Sequence, residues 1–109
     1  MLDLVIRNGQ VITPQGAGLW DVGVRGEQIA VIAAPGTVPT DGARVIDAAG
    51  QIVSPGGVEP HAHLAHGIMS HPEEPAITLG PEDDTRGMAC GGTTTHIDFA
   101  YVRPGGDIQ

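Results

Sequence analysis

The residues best suited to chemistry lie in one short stretch, Val58-Glu59-Pro60-His61-Ala62-His63-Leu64. In an extended segment, residues i and i+2 project to the same side and lie about 6 to 7 Å apart along the strand. His61 and His63 can therefore both reach one cation. Imidazole nitrogen suits Zn²⁺, with Co²⁺, Mn²⁺, Ni²⁺ or Fe²⁺ as alternatives. A catalytic zinc site normally takes three protein ligands and keeps one position open for water, so two histidines make an incomplete site. By spacing alone, the pair is equally compatible with core or surface histidines that bind no metal.

Other groups near the pair have both a functional and an ordinary reading. Glu59 and Asp98 can orient a metal-ligating histidine through its second ring nitrogen, although carboxylates at strand ends more often cap neighbouring backbone. His96 alternates with Thr94 and Asp98 on one face of a β-branched run, so it either supports a metal ligand or is hydrogen-bonded packing, the commoner case. Leu64, His66 and His71 lie in the segment after the motif, where solvated loop histidines are the ordinary reading. Cys90 has no basic neighbour in sequence to lower its thiol pKa, and buried packing is expected of it. Gly91-Gly92-Thr93-Thr94 is not a phosphate loop, because no lysine follows and the glycines close a helix instead of opening one. No residue of the chain is assigned a catalytic role.

The elements that must hold these residues are mostly strands. Leu2 to Arg7 and Gln10 to Thr13 flank Asn8-Gly9, a dipeptide suited to a type I′ turn, which predicts a hairpin. Trp20 to Arg25 alternates, Gly26-Glu27 turns, and Gln28 to Ala33 follows as an apolar strand, giving four strands before residue 35. Pro35 to Gly42 reads as a loop, and Arg44 to Asp47 and Gln51 to Ser54 as two short strands around Ala48-Ala49-Gly50. Residues 1–54 thus read as all β. Ala65 to Gly80, with Pro72-Glu73-Glu74-Pro75, lacks periodicity and is expected to be a long loop. Pro81 with Glu82, Asp83 and Asp84 predicts a helix from about Pro81 to Cys90, the acids facing the positive end of its dipole. Gly91-Gly92 ends it, and Thr93 to Ala100 reads as a buried strand. Strand, helix, strand is the order of an α/β barrel or doubly wound sheet.

Composition narrows the function classes. The 109 residues allow one ordinary domain length. Only Trp20, Phe99 and Tyr101 are aromatic, so packing rests on Val, Ile, Leu and Ala. A formal charge of -8, with five arginines and no lysine, argues against nucleic acid or an anionic membrane as partner. A single cysteine fits a reducing compartment, and the start of the chain lacks the basic and apolar regions of a signal peptide. Soluble, cytoplasmic residence is the expectation.

Ser54-Pro55-Gly56-Gly57-Val58-Glu59-Pro60-His61-Ala62-His63-Leu64 resembles the start of the barrel in the amidohydrolase superfamily, where Pro-Gly-x-x-Asp-x-His-x-His-Leu ends the first barrel strand. Asp3-Leu4-Val5-Ile6-Arg7-Asn8-Gly9, Val45-Ile46-Asp47-Ala48-Ala49-Gly50 and Gly91-Gly92-Thr93-Thr94-Thr95-His96-Ile97-Asp98-Phe99 extend the likeness to the cyclic amidohydrolase branch, the dihydropyrimidinases and hydantoinases. The sequence departs at Glu59, where the family usually has aspartate, and at His96, where it usually has an aliphatic residue.

The resemblance implies an α/β fold, with residues 1–54 forming part of a small N-terminal β-sandwich and residues 55–109 the first βαβ segment of a (β/α)8 (TIM) barrel. It implies that His61 and His63 ligate a divalent metal, most readily zinc, whose activated hydroxide hydrolyses a C–N bond in a cyclic amide, imide or ureide. Linear ureas or carbamates are the alternative substrates. Contact with a substrate is what the resemblance implies for Leu64, His66 and His71. The family's remaining ligands, two further histidines, a carboxylated lysine and a proton-handling aspartate, come from later barrel strands. The lysine cannot be here, and a barrel of about 250 residues cannot close on one βα unit. The chain alone is therefore expected to be inactive, with the rest of the barrel on another or longer chain, the complete enzyme being a homo-oligomer. Two rivals remain: a truncated, non-catalytic β-rich module that binds metal or protein, and a remnant in which His61 and His63 merely pack.

Overall fold

The computed structural model describes residues 1–68 and 76–99. The chain divides into two compact units, Met1–Pro55 and Gly56–Gln109. Among the described residues no helix is long and apolar enough to cross a membrane.

The first unit is a five-stranded sheet. Strands β1 (Leu4–Thr13), β2 (Gly16–Arg25) and β3 (Gln28–Ala33) run as an antiparallel meander. Strands β4 (Arg44–Asp47) and β5 (Ile52–Val53) both lie parallel to β1, on its other edge. Three strands, not four, precede residue 35. The difference lies at Asn8-Gly9, which is an irregularity inside β1 and not a turn: the register with β2 shifts between Ile6 and Gly9. Asn8 does take the left-handed conformation expected of it, φ 61°. Its tertiary partners decide the use. Its N–H donates to Asp21 Oδ1 (3.1 Å) and its amide to Asp47 Oδ1 (2.9 Å). The bulge in β1 thus sits opposite the Ala48-Ala49-Gly50 bend that separates β4 from β5. Contact there is close, because a Cβ on Gly9 would meet Val53 Cγ2 at 2.5 Å. The hairpin turn falls instead after Thr13, whose hydroxyl accepts the Gln15 N–H and donates to the Gly16 carbonyl.

Val5, Val11, Val22, Val38 and Ala48 form the small core of this unit. Asp21 is fully buried among them. Burial is the strongest single influence on its carboxyl and opposes ionisation. The N–H groups of Gly36 (2.7 Å) and Asn8 and the Arg7 guanidinium (3.4 Å) together outweigh it and hold the pKa below the usual value. The carboxylate ties the β1 bulge to the loop after β3.

The second unit is a β-α-β element with an added strand pair. Strand β6 (Gly57–Ala62) is parallel to β9 (Thr93–Asp98), and helix α1 (Pro81–Cys90) connects them. Between β6 and α1, strands β7 (Gly67–Ile68) and β8 (Ala76–Ile77) form a short antiparallel pair, so the expected continuous loop contains secondary structure. Helix α1 begins at Pro81 with acids in its first turn and ends at Gly91. Asp84, Thr85 and Met88 make up its half-buried stripe. Cys90 falls two residues beyond Met88, away from that stripe, and is exposed instead of packed. Strand β9 is likewise mostly exposed, against the buried strand expected from its composition, with Ile97 57% accessible. Composition records what a strand is suited to pack against, and α1 contributes no fully buried residue to cover this one. Ala100, the expected end of that strand, lies outside the described residues. Among the described glycines of the unit Gly56 makes the closest approach: any Cβ there would overlap the Thr94 side chain.

Candidate metal site

The site is assembled at the C-terminal ends of β6 and β9. Pro60 has no N–H to give to the ladder, and the β6–β9 register breaks between Glu59 and Ala62. The His61 N–H that this break releases is taken by Glu59 Oε1 at 2.9 Å. Glu59 thus holds the backbone of His61, and not the second nitrogen of its ring.

Past the break, His61 and His63 point to the same side. Their Nε2 atoms are 2.9 Å apart. With metal–nitrogen bonds of about 2.05 Å, that separation corresponds to an angle at the ion of about 90°, and an opening of roughly 0.4 Å makes it tetrahedral. As donors, two convergent imidazoles fit one divalent transition ion. They make up only part of its shell: among the described residues no group of three metal-ligating side chains converges.

Phe99, the residue after β9, secures both rings. It stacks on His63, with ring centroids 4.8 Å apart and planes 1° apart, and lies tilted on His61 at 4.7 Å. In the sequence Phe99 stands out only as one of three aromatics and as the end of the Gly91-to-Phe99 stretch that carries the family resemblance. Nothing local in the sequence places it here, since the contact depends on β6 and β9 being neighbours.

Leu64 is buried, its side chain packed into the unit, and its N–H donates to Asp98 Oδ1 at 3.2 Å. Asp98 Oδ1 also accepts the Phe99 N–H at 2.7 Å. Partial burial, the strongest influence, opposes ionisation of Asp98. The two N–H groups and the neighbouring His66 and His63 more than offset it, and the pKa lies below the usual value. Asp98 therefore joins the two strand ends through backbone.

His66 folds back toward the pair. Ala65 adopts φ 53°, which re-aims the chain, and Thr78 grips the His66 backbone on both sides: its hydroxyl accepts the His66 N–H (2.8 Å), and its own N–H donates to the His66 carbonyl (2.8 Å). His66 Nδ1 reaches His63 Nδ1 at 3.3 Å, and its Nε2 lies 3.9 Å from Asp98 Oδ1. His66 approaches the far edge of the His63 ring, so it is not a third ligand to an ion held between the two Nε2 atoms. Thr78, which positions it, carried no hint in the sequence. His96, paired in register with Glu59, is exposed and takes no part in these side-chain bonds among the described residues. His71 lies outside the described residues.

No family model matches the chain. Individual proteins do. A D-hydantoinase of Rhizobium radiobacter is 39% identical over 108 residues, 99% of this chain and 22% of the relative. An allantoinase of Escherichia coli (strain SMS-3-5 / SECEC) is 43% identical over 97 residues, 89% of this chain and 19% of the relative. The crystal structure of D-hydantoinase from Bacillus sp. AR9 superposes with a TM-score of 0.81 at 33% identity, over 95% of this chain and 21% of that one. The chain is similar to the N-terminal portion of these cyclic amidohydrolases. It spans about a fifth of the length of the cyclic amidohydrolases it matches.

Proposed function

We propose that this chain is the N-terminal segment of a metal-dependent hydrolase of C–N bonds in cyclic amides, imides or ureides, and that His61 and His63 are two of its metal ligands. The observation that carries this reading is the convergence of the two Nε2 atoms at 2.9 Å, in a chain related to a D-hydantoinase and an allantoinase. In this reading β6, α1 and β9 are the first βαβ segment of a (β/α)8 barrel, residues 1–54 are part of a small β-sandwich, and the remaining ligands come from later barrel strands on another or longer chain. The complete enzyme would then be a soluble homo-oligomer.

A bound divalent cation, zinc or a similar transition ion, supplies a Lewis acid for the scissile carbonyl and lowers the pKa of water. The residues of this chain supply placement. Glu59 and the break at Pro60 set the direction of His61, and Phe99 restricts both rings, so little rotamer freedom is left to lose when the ligands engage. His61 and His63 are themselves exposed, as ligands to be covered by further barrel loops would be. Those loops also carry the choice between cyclic ureides and linear ureas or carbamates.

Cobalt(II) titration of the 109-residue chain tests the ligand assignment. Visible d–d bands should develop in the wild type and be lost in His61→Ala and His63→Ala. Bands that persist in both variants overturn it. Metal analysis and intact mass of material from the native source test the rest. A co-purifying or covalently continuous polypeptide of barrel size, with hydantoin- or allantoin-hydrolysing activity, is expected. A lone 109-residue species without metal would favour the non-catalytic module.

A further inference from the structure

The rings of His61, His63 and Phe99 form a nearly equilateral triangle. Their centroids are 4.9 Å apart for His61 and His63, 4.7 Å for His61 and Phe99, and 4.8 Å for His63 and Phe99. The two Nε2 atoms meet along the first side, and Phe99 occupies the corner opposite. Its ring is parallel to that of His63 within 1° and tilted by 53° to that of His61. We propose that Phe99 is a positioning residue whose π face favours the metal-loaded histidine pair over the empty one. This deepens the proposed function and rests on its assignment of His61 and His63 as ligands.

Two electron-rich aromatic rings repel face to face, because both faces are negative, and gain most from an edge contact or an offset. An electron-poor partner reverses the sign, since a negative face attracts positive charge. An imidazole becomes electron-poor when one of its nitrogens binds a divalent cation. The stack on His63 is therefore worth more when the pair is loaded than when it is empty, and that difference appears as metal affinity. A saturated side chain of similar bulk could order both rings, but it would not distinguish the two states.

The fold holds Phe99 in this place from both strands. Ala62 and Asp98 are partners in the β6–β9 ladder, which sets the next residues, His63 and Phe99, level with each other. Asp98 Oδ1 accepts the Phe99 N–H at 2.7 Å and the Leu64 N–H at 3.2 Å, so the backbone on either side of the stack is tied to one carboxylate. Phe99 is 42% accessible, so burial in a core accounts for only part of its placement. Among the described residues its ring contacts are His61 and His63.

Phe99 is the only phenylalanine of the 109 residues, so growth on a fluorinated phenylalanine alters this ring alone. Fluorination drains the π face stepwise and nearly keeps its shape. Chains carrying phenylalanine, 4-fluorophenylalanine and 3,4,5-trifluorophenylalanine should bind Co²⁺ in falling order, by about two- to fivefold from first to last. Phe99→Leu, which keeps bulk without a π face, should bind no better than the trifluoro chain. The single ¹⁹F resonance of the 4-fluoro chain should shift as Zn²⁺ is added and stop shifting when the site is full. Equal Co²⁺ affinity across the fluorinated series, or wild-type affinity in Phe99→Leu, overturns the inference and leaves the ligand assignment standing. A ¹⁹F resonance indifferent to Zn²⁺ while Co²⁺ bands still develop does the same. Bands that persist in His61→Ala and His63→Ala, or no Co²⁺ binding by the wild-type chain, overturn the inference and the ligand assignment together.

Discussion

Replacing Asp21 tests how the first unit is held. Its carboxylate is fully buried and accepts from two backbone N–H groups, Gly36 at 2.7 Å and Asn8 at 3.1 Å, and from Arg7 Nε at 3.4 Å. Asp21→Ala leaves two partly buried N–H groups without an acceptor, at about 1 kcal/mol each, the low end of the range for a buried donor. Arg7 is 36% exposed and can turn to water, so its loss adds little. The sum is about 2 kcal/mol. A unit running from Met1 to Pro55 has only roughly 3–8 kcal/mol in total at ordinary stability per residue, so a quarter or more of it goes. Asp21→Asn keeps one accepting oxygen and sets an NH₂ against the other donor, for about half the loss. The effect should also depend on pH. The folded pKa is depressed below the ordinary 3.8, so the carboxylate's contribution is fully present above the unfolded pKa and is lost as pH falls through the folded one. The stability difference between wild type and Asp21→Asn should therefore shrink below about pH 4. Asp47 and Asp98, also depressed, keep some acid dependence in the variant. Urea unfolding followed by fluorescence of Trp20, the only tryptophan and the neighbour of Asp21 on β2, measures each of these. Unchanged midpoints for both variants at pH 7 would refute the reasoning.

Further outcomes follow from single contacts. Gly56→Ala should cost about 1–3 kcal/mol through overlap with Thr94 and speed hydrogen exchange at the Gly57 N–H, which bonds the Gly92 carbonyl; unaltered protection would contradict it. Asn8→Gly loses the bond to Asp47 but keeps a residue at ease at φ 61°, whereas Asn8→Ala loses both, so alanine should unfold at lower urea by about 1 kcal/mol more. Equal midpoints would show that φ is not the constraint. Phe99→Ala removes two ring contacts worth about 0.5–1.5 kcal/mol each, and Co²⁺ affinity should fall about tenfold; no change would mean that the rings are ordered without it.

Much of this protein is local enough to be read from the chain. Strand β3, strand β4 and helix α1 occupy the residues that alternation, flanking glycines, Pro81 and its acids indicate, because each pattern acts within a few residues. The spacing of His61 and His63 likewise places two imidazoles on one side of an extended segment wherever that segment lies. What the chain alone left open are the choices settled by distant partners. Asn8-Gly9 suits a left-handed residue in a turn or in a bulge, and carboxylates 13 and 39 residues away decide for the bulge. The buried Asp21 looks like an ordinary strand polar residue until Gly36 and Asn8 are folded against it. Phe99, Asp98 and Thr78 acquire their roles only when β9 lies beside β6 and the chain beyond β8 returns to His66. Periodicity states which face a side chain occupies; only tertiary pairing supplies the partner across that face.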